Sequence, residues 1–265
     1  MAETTNKYKV GVVGLGKMGG AIALGIHASG KGSVAGFDPF AKSKIPGIDY
    51  KSGIASLEES ADIIILAVKP GDIASVLGEF QKPKSFLSIA AGIPISVLQE
   101  KAPKGSKLAR LMPNLPLVVG RGAIGYYGDK SLDGVISDLF ASLGVVVSLD
   151  KEGLMDAVTG LSGSGPAYVY TFLHALAEGG LKEGLSYSQS LDLAMETISG
   201  SLEYFRKLKE SDKDLHPMEV RNWVTSPGGT TIHGLDALER GGFVSSVRDA
   251  VTAATKRSLE LGSKD

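Results

Sequence analysis

The chain has 265 residues, enough at about 150 per domain for one large or two modest domains with a sizeable core and no need of staples. Its 28 Lys and Arg against 29 Asp and Glu leave a net charge of −1, which gives no basic surplus for gripping a phosphate backbone and argues against nucleic acid as a partner. The absence of Cys excludes disulfides, thiolate nucleophiles and Cys-based zinc sites, and it fits a reducing cytoplasm.

Met1 to Lys9 carries Glu3, Lys7 and Lys9 with no apolar run, so neither a signal peptide nor a transit peptide is expected. From Tyr8 to about Asp150, short β-branched runs alternate with helical patterns: Lys9–Val13, Ser33–Phe37, Asp62–Val68, Ser85–Ala90, Lys107–Met112, Ala123–Tyr127 and Val145–Leu149. This alternation predicts βαβ units on a mostly parallel sheet. The run Ile63 to Val68 has no polar alternation, which predicts a central strand covered on both faces.

The first strand leads into Gly14-Leu15-Gly16-Lys17-Met18-Gly19 and then an apolar helix start. In this context the glycines have separate uses: Gly14 for the tight turn, Gly16 for close approach of a pyrophosphate, and Gly19 for packing of helix on strand. The helix N-terminus adds unpaired amides and a positive dipole end. Gly14, Leu15, Gly16, Lys17, Met18 and Gly19 are therefore expected to bind a dinucleotide. Asp38 ends the second strand where an acid binds adenosine ribose hydroxyls, which favours NADH. Two alternatives stay open: Asp38-Pro39 as simple turn chemistry, and Lys42, Ser43 and Lys44 as holders of a 2′-phosphate. Asn114, after Met112-Pro113, is placed either to reach the nicotinamide amide or to form a turn.

After Asp150 the strands stop, which predicts residues 1–150 as a dinucleotide-binding domain and 151–265 as a helical domain. The uncharged stretch Ala157–Ala177 has the length of a membrane span, but Thr159 to Pro166 is too rich in Gly and Ser to stay helical in lipid, so no membrane contact is expected. Ser162 to Pro166 reads as a joint that also lines the cleft, with Pro166 at a first helical position. The helix that follows carries Ala167, Tyr168, Val169, Phe172, Leu173, Ala175 and Leu176 around its whole axis, and so demands burial on every side. A helical domain of this size offers little core for it, which points to a second subunit. Ser186 and Gln189 form a capping box ahead of Leu191, Met195, Ile198, Leu202 and Phe205 on one helix face.

Ser226-Pro227-Gly228-Gly229-Thr230-Thr231 precedes an amphipathic run with Ile232, Leu235 and Leu238. Amides at Gly228 and Gly229 suit a carboxylate, and the Thr231 hydroxyl both donates and accepts, so it can meet a ring nitrogen as imine or amine. A helix capped by Thr230 or Ser226 is the plainer alternative. A last helix is expected over about Phe243 to Leu261. His27, His174, His216 and His233 show no ligand spacing with carboxylates, so no metal site is expected, and His233 points away from Thr231 on a helix.

Four segments, in this order and spacing, closely resemble those of the pyrroline-5-carboxylate reductases: Ala67-Val68-Lys69-Pro70, Arg110-Leu111-Met112-Pro113-Asn114, Leu161 to Tyr168, and Val224 to Thr231. The resemblance spans about Lys7 to Leu261, and its Ser-Pro-Gly-Gly-Thr-Thr element is strongly diagnostic. It implies reduction of the cyclic imine 1-pyrroline-5-carboxylate to L-proline by hydride from NADPH or NADH. The implied fold is a Rossmann domain followed by an all-helical dimerisation domain, in a homodimer or ring of dimers.

The resemblance further implies that Ala67, Val68, Lys69 and Pro70, with Ala90, Ala91 and Gly92, wall the nicotinamide end of the cofactor site. Ser226, Gly228, Gly229, Thr230 and Thr231 would bind substrate from the partner subunit, with Thr231 catalytic. The chain departs from the family ahead of that loop, where a typical His-Pro-Gly-x-Leu-Lys-Asp becomes His216-Pro217-Met218-Glu219-Val220-Arg221-Asn222. A β-hydroxyacid type of dehydrogenase would share the glycine turn but needs a base, usually a helical Lys; none follows Gly165 at suitable spacing, and Lys182 is poorly placed. A dinucleotide sensor that binds without turnover is the non-enzymatic alternative.

Overall fold

The computed structural model describes residues 7–262, so the reading of Met1–Asn6 lies outside the described residues. The first part alternates β1 (Tyr8–Val13), α1 (Lys17–Ala28), β2 (Gly32–Phe37), β3 (Asp49–Tyr50), α2 (Ile54–Ser60), β4 (Ile63–Leu66), α3 (Ile73–Gly78), β5 (Ser85–Ser88), α4 (Ile95–Lys101) and β6 (Lys107–Pro113). It ends with β7 (Gly122–Gly128), α5 (Asp133–Phe140) and β8 (Gly144–Ser148). The strands form one sheet in the order β3-β2-β1-β4-β5-β6-β7-β8. Every neighbouring pair is parallel except β6 with β7, so the sheet is mostly parallel as expected.

Strand alternation sorts the core into two layers. Val10, Val12, Ile63 and Ile65 pack with Ile22 and Ile26 of α1 and Ile136 and Leu139 of α5 on one face. Val13, Ile64, Leu66 and Phe86 pack with Leu57 of α2, Leu77 of α3 and Leu98 of α4 on the other. β4 is thus buried along its whole length, as its unbroken apolar run predicts. It is shorter than expected, ending at Leu66, because Ala67 and Val68 turn to pass close by Gly14. β5 stops at Ser88, before the turn that holds Ala90–Gly92.

The rest is helical: α6 (Leu154–Val158), a π-helical turn over Thr159–Gly163, α7 (Gly165–Lys182), α8 (Tyr187–Ser211), α9 (Pro217–Trp223), α10 (Thr230–Arg240) and α11 (Phe243–Gly262). The chain forms two compact units, one of residues up to Pro166 together with those from Val251 onward, the other Ala167–Ala250. This differs from a boundary at residue 150. The physical reason is that α6, the π turn and the second half of α11 pack with the sheet: the Ser258 hydroxyl donates to Asp156 at 2.6 Å, and a β-carbon on Gly160 would lie 2.7 Å from the Val251 carbonyl oxygen.

The helical unit has little core of its own. Its buried residues, among those described, are Ala177, Ser190, Ala194 and Leu215. The Ser186 capping box forms as predicted, the Ser186 hydroxyl accepting from Gln189 N–H at 3.2 Å and the Gln189 amide oxygen accepting from Ser186 N–H at 2.9 Å. The apolar face that follows it, with Met195 and Leu202, lies exposed in the single chain. So do Val169, Tyr170 and Leu176 of α7, the helix whose sequence demands burial on every side. No helix among the described residues is long and apolar enough to cross a membrane.

Candidate active site

At the carboxyl ends of β1, β2 and β4, three connections converge. Gly14 takes φ +90, a conformation that side chains rarely adopt, and its amide donates to the Phe37 carbonyl at 2.9 Å. A β-carbon on Gly14 would lie 2.7 Å from the Ala67 carbonyl oxygen, so glycine permits the turn to brush past the end of β4. A β-carbon on Gly19 would collide with the Gly14 oxygen and lie 2.7 Å from the Ala67 methyl. Gly16 is different. It opens α1 with φ −66 and no capping side chain, and a β-carbon there would meet nothing within 4 Å. The first amides of α1 thus border open space, the arrangement that receives an anion.

Leu15 N–H donates to Asp38 Oδ2 at 2.7 Å, and Phe40 N–H donates to Oδ1 at 2.8 Å. The carboxylate therefore braces the glycine turn and its own turn together, so the turn reading of Asp38 is realised alongside any contact with a ribose. Lys17 is exposed, while Met18 is half-buried against the core.

Pro70, Gly71, Ala91 and Gly92 line a cleft of about 500 Å³, together with Thr159 and Ser164. Two connections singled out in the sequence, after β4 and after β5, thus meet here. Ala67 and Val68 are half-buried beside Gly14, and Lys69 is exposed just ahead of a 3-10 turn over Pro70–Asp72. Ala90 differs from its expected place on the wall: it is buried in the core, and the wall of the turn is Ala91, Gly92 and Ile93. Asn114 spends its amide on the backbone, Oδ1 accepting from Ala123 N–H at 2.8 Å and Nδ2 donating to the Ser162 carbonyl at 3.0 Å. It anchors the Ser162–Pro166 segment to the end of β6.

Sequence reasoning missed Thr159 and the α11 residues of the cleft, Ala254, Arg257, Ser258 and Leu261. The signal it could have used is the cluster of small residues in the π turn. Besides the Gly160 crossing, a β-carbon on Gly163 would lie 2.8 Å from the Met112 methyl, so both glycines sit where chains cross too tightly for a side chain. Single π turns inserted between α-helices occur often at functional sites.

The substrate residues expected from the sequence all lie in the helical unit. Gly228 takes φ +69, and Gly229 N–H donates to the Ser226 carbonyl at 3.0 Å. A β-carbon on Gly229 would collide with the Ser226 hydroxyl. Gly229 is the cap of α10, and no side chain closes that helix end, so neither Thr230 nor Ser226 acts as the cap. Ser226, Gly228 and Thr230 are exposed, and Thr231, at the second helical position, is half-buried. Upstream, His216 Nδ1 accepts from Met218 N–H at 3.2 Å and caps α9. Arg221 Nη2 donates to Asn222 Oδ1 at 2.9 Å, so the amide that replaces the family's acid still engages the neighbouring guanidinium.

Residues 152–261 match a family described as pyrroline-5-carboxylate reductase dimerisation, and residues 9–92 match one described as NADP oxidoreductase, coenzyme F420-dependent. A pyrroline-5-carboxylate reductase of Methanosarcina acetivorans is 36% identical over 97% of this chain and 98% of its own length. One of Arabidopsis thaliana is 36% identical, covering 96% of this chain and 95% of its own. Among solved structures, the Plasmodium falciparum pyrroline carboxylate reductase with NADP bound superimposes with a TM-score of 0.84 at 35% identity, over 97% of this chain and 99% of that one.

Proposed function

This chain belongs to the pyrroline-5-carboxylate reductase family, and from that premise we propose how its residues divide the work of reducing 1-pyrroline-5-carboxylate to L-proline. It is an NAD(P)H-dependent oxidoreductase of proline biosynthesis, with NADP(H) as its cofactor. The residues present fit that dinucleotide, because the open, uncapped start of α1 at Gly16 is a cradle that any β-carbon would begin to fill. The amides of Leu15 to Gly19 would hold the pyrophosphate, with Asp38 bracing the turn. Ala91 and Gly92, opposite Pro70, would confine the nicotinamide.

When bound, the reduced nicotinamide supplies a hydride to the carbon of the C=N bond. The protonated imine is already electrophilic, so the chain's task is to hold the ring at reacting distance and exclude water, without a strong base. The uncapped amides of Thr230 and Thr231, at the start of α10, suit the substrate carboxylate, and the Thr231 hydroxyl can accept from the protonated ring nitrogen or donate to the amine. We assign this loop to a second copy of the chain.

The protein is an oligomer with a small-molecule substrate. The exposed apolar surfaces of α7 and α8 support an interlocked homodimer, and rings of such dimers are the larger assembly we propose. A Cys-free composition supports a cytoplasmic location.

The observation that carries the reading is the cleft that gathers Pro70, Ala91 and Gly92 with Thr159 and Ser164. Its test is oxidation of NADPH by the purified protein, followed by the absorbance of the reduced nicotinamide, with and without 1-pyrroline-5-carboxylate. A reductase turns over only when the imine is present. Binding of NADPH with no imine-dependent turnover would instead mark a sensor.

A further inference from the structure

Glu152 lies between β8 and α6, outside every residue that the family reading uses. One of its oxygens, Oε1, accepts two hydrogen bonds, from Arg110 Nη1 at 2.7 Å and from Ile95 N–H at 2.7 Å. Arg110 stands on β6 with its side chain 9% exposed, and that of Glu152 is 31% exposed. The Arg110 Nε is buried without a partner, and Glu152 is the acid that pairs with the guanidinium. Ile95 is the first residue of α4, and Pro94 ahead of it has no side chain that can cap. The three residues before Pro94 are Gly92, with φ +78, Ile93 and Ala91, all on the wall of the cleft.

We propose that Glu152 is a positioning residue for the cofactor: steered by Arg110, it pins Ile95 N–H and so fixes the Ala91–Ile93 turn where the nicotinamide must dock. The reasoning is geometric. A turn containing a glycine at positive φ has a wide choice of backbone conformations, and a tether at its exit removes most of them. Arg110 fixes the same carboxylate oxygen, in a place where a buried charge left unpaired is costly. The inference rests on reading this cleft as the nicotinamide pocket.

Removing Glu152 alone strands a buried guanidinium and endangers the fold, so the test uses two double variants. Arg110→Met with Glu152→Gln removes the charges and keeps an oxygen for Ile95 N–H. Arg110→Met with Glu152→Leu removes both charges and that acceptor. The readouts are melting temperature, NADPH dissociation constant by nicotinamide fluorescence, and KM for each substrate. The Leu double variant is expected to bind NADPH about 5- to 20-fold more weakly, the lower part of the range for a buried amide that loses its acceptor. Its KM for the imine should stay within about twofold, and the Gln double variant should recover most of the NADPH affinity.

The proposal is overturned if the Leu double variant keeps parental NADPH affinity, or if both variants lose affinity equally in step with melting temperature. The direct binding measurement judges the tether even if the parent shows no imine-dependent turnover, an outcome that would count against the reductase reading instead.

Discussion

The backbone N–H of Leu15 donates to Asp38 Oδ2 at 2.7 Å, so the first residue after β2 holds the glycine turn that follows β1. A carboxylate placed near a ribose is usually read as a selector against a 2′-phosphate. Here it is also a brace. Asp38→Ala is therefore expected to weaken NADPH and NADH together, about 3- to 10-fold each, as befits a charged hydrogen bond in a half-buried place. If Asp38 acts mainly by repulsion, the same variant will instead bind NADPH more tightly while NADH weakens. Paired fluorescence titrations decide between the two.

Gly16→Val should fold normally, because the backbone there is compatible with any residue and the space beyond it is open. The branched side chain would occupy the anion cradle. NADPH affinity is expected to fall at least about tenfold, roughly 1.4 kcal/mol, with circular dichroism unchanged. Parental affinity would remove the cradle assignment.

Thr231→Val keeps shape and β-branching but deletes the hydroxyl. A lost hydrogen bond to a charged partner is worth about 1.5–3 kcal/mol, which predicts a fall in kcat/KM of about 10- to 150-fold. NADPH affinity should hold, and Thr231→Ser should keep most of the activity. Equal behaviour of the Val and Ser variants would reduce Thr231 to a structural role at the start of α10.

Light scattering at micromolar concentration should show no monomer. Val169 and Leu202 are 48% and 51% exposed in the single chain, and replacing either with Asp should dissociate the assembly and abolish activity together. A fully active monomer would contradict the interlocked dimer.

Asp138 accepts from the ammonium of Lys31, from Lys7 and from the Tyr8 hydroxyl, which hold its pKa at about 2, below the ordinary 3.8. Because the folded value is the lower one, this contribution is present above pH 3.8 and is lost as pH falls toward 2. Melting temperature should decline across that window, and Asp138→Asn should flatten this part of the decline. An unchanged slope in the variant would show that other carboxylates carry it.

The sheet was legible because apolar runs report burial locally: Ile63 to Leu66 needs no partner sequence to be read as a covered strand. The uses of Gly14 and Gly19 were legible for the same reason, since the close approaches they permit lie within one turn or at the adjoining strand. Strand direction was not, because alternation along β7 reads alike whichever way the strand runs. Glu152 was invisible, as its partners lie 42 and 57 residues away and no spacing rule links a lone acid to a distant Arg and a backbone amide. The division into compact units was not legible for a related reason: the helical periodicity of α11 says nothing about which part of the chain its second half will cover.

The return of α11 to the sheet unit also sets an order in time. Asp156 and Ser258, which meet at 2.6 Å, are 102 residues apart, and the whole of the helical unit is synthesised between them. At about 5–20 residues per second a ribosome takes roughly 5–20 s to span that interval. The nested unit therefore emerges entire while the sheet still lacks a wall of its cleft. In a growing chain, the cleft closes only after the exposed apolar faces of α7 and α8 have been made.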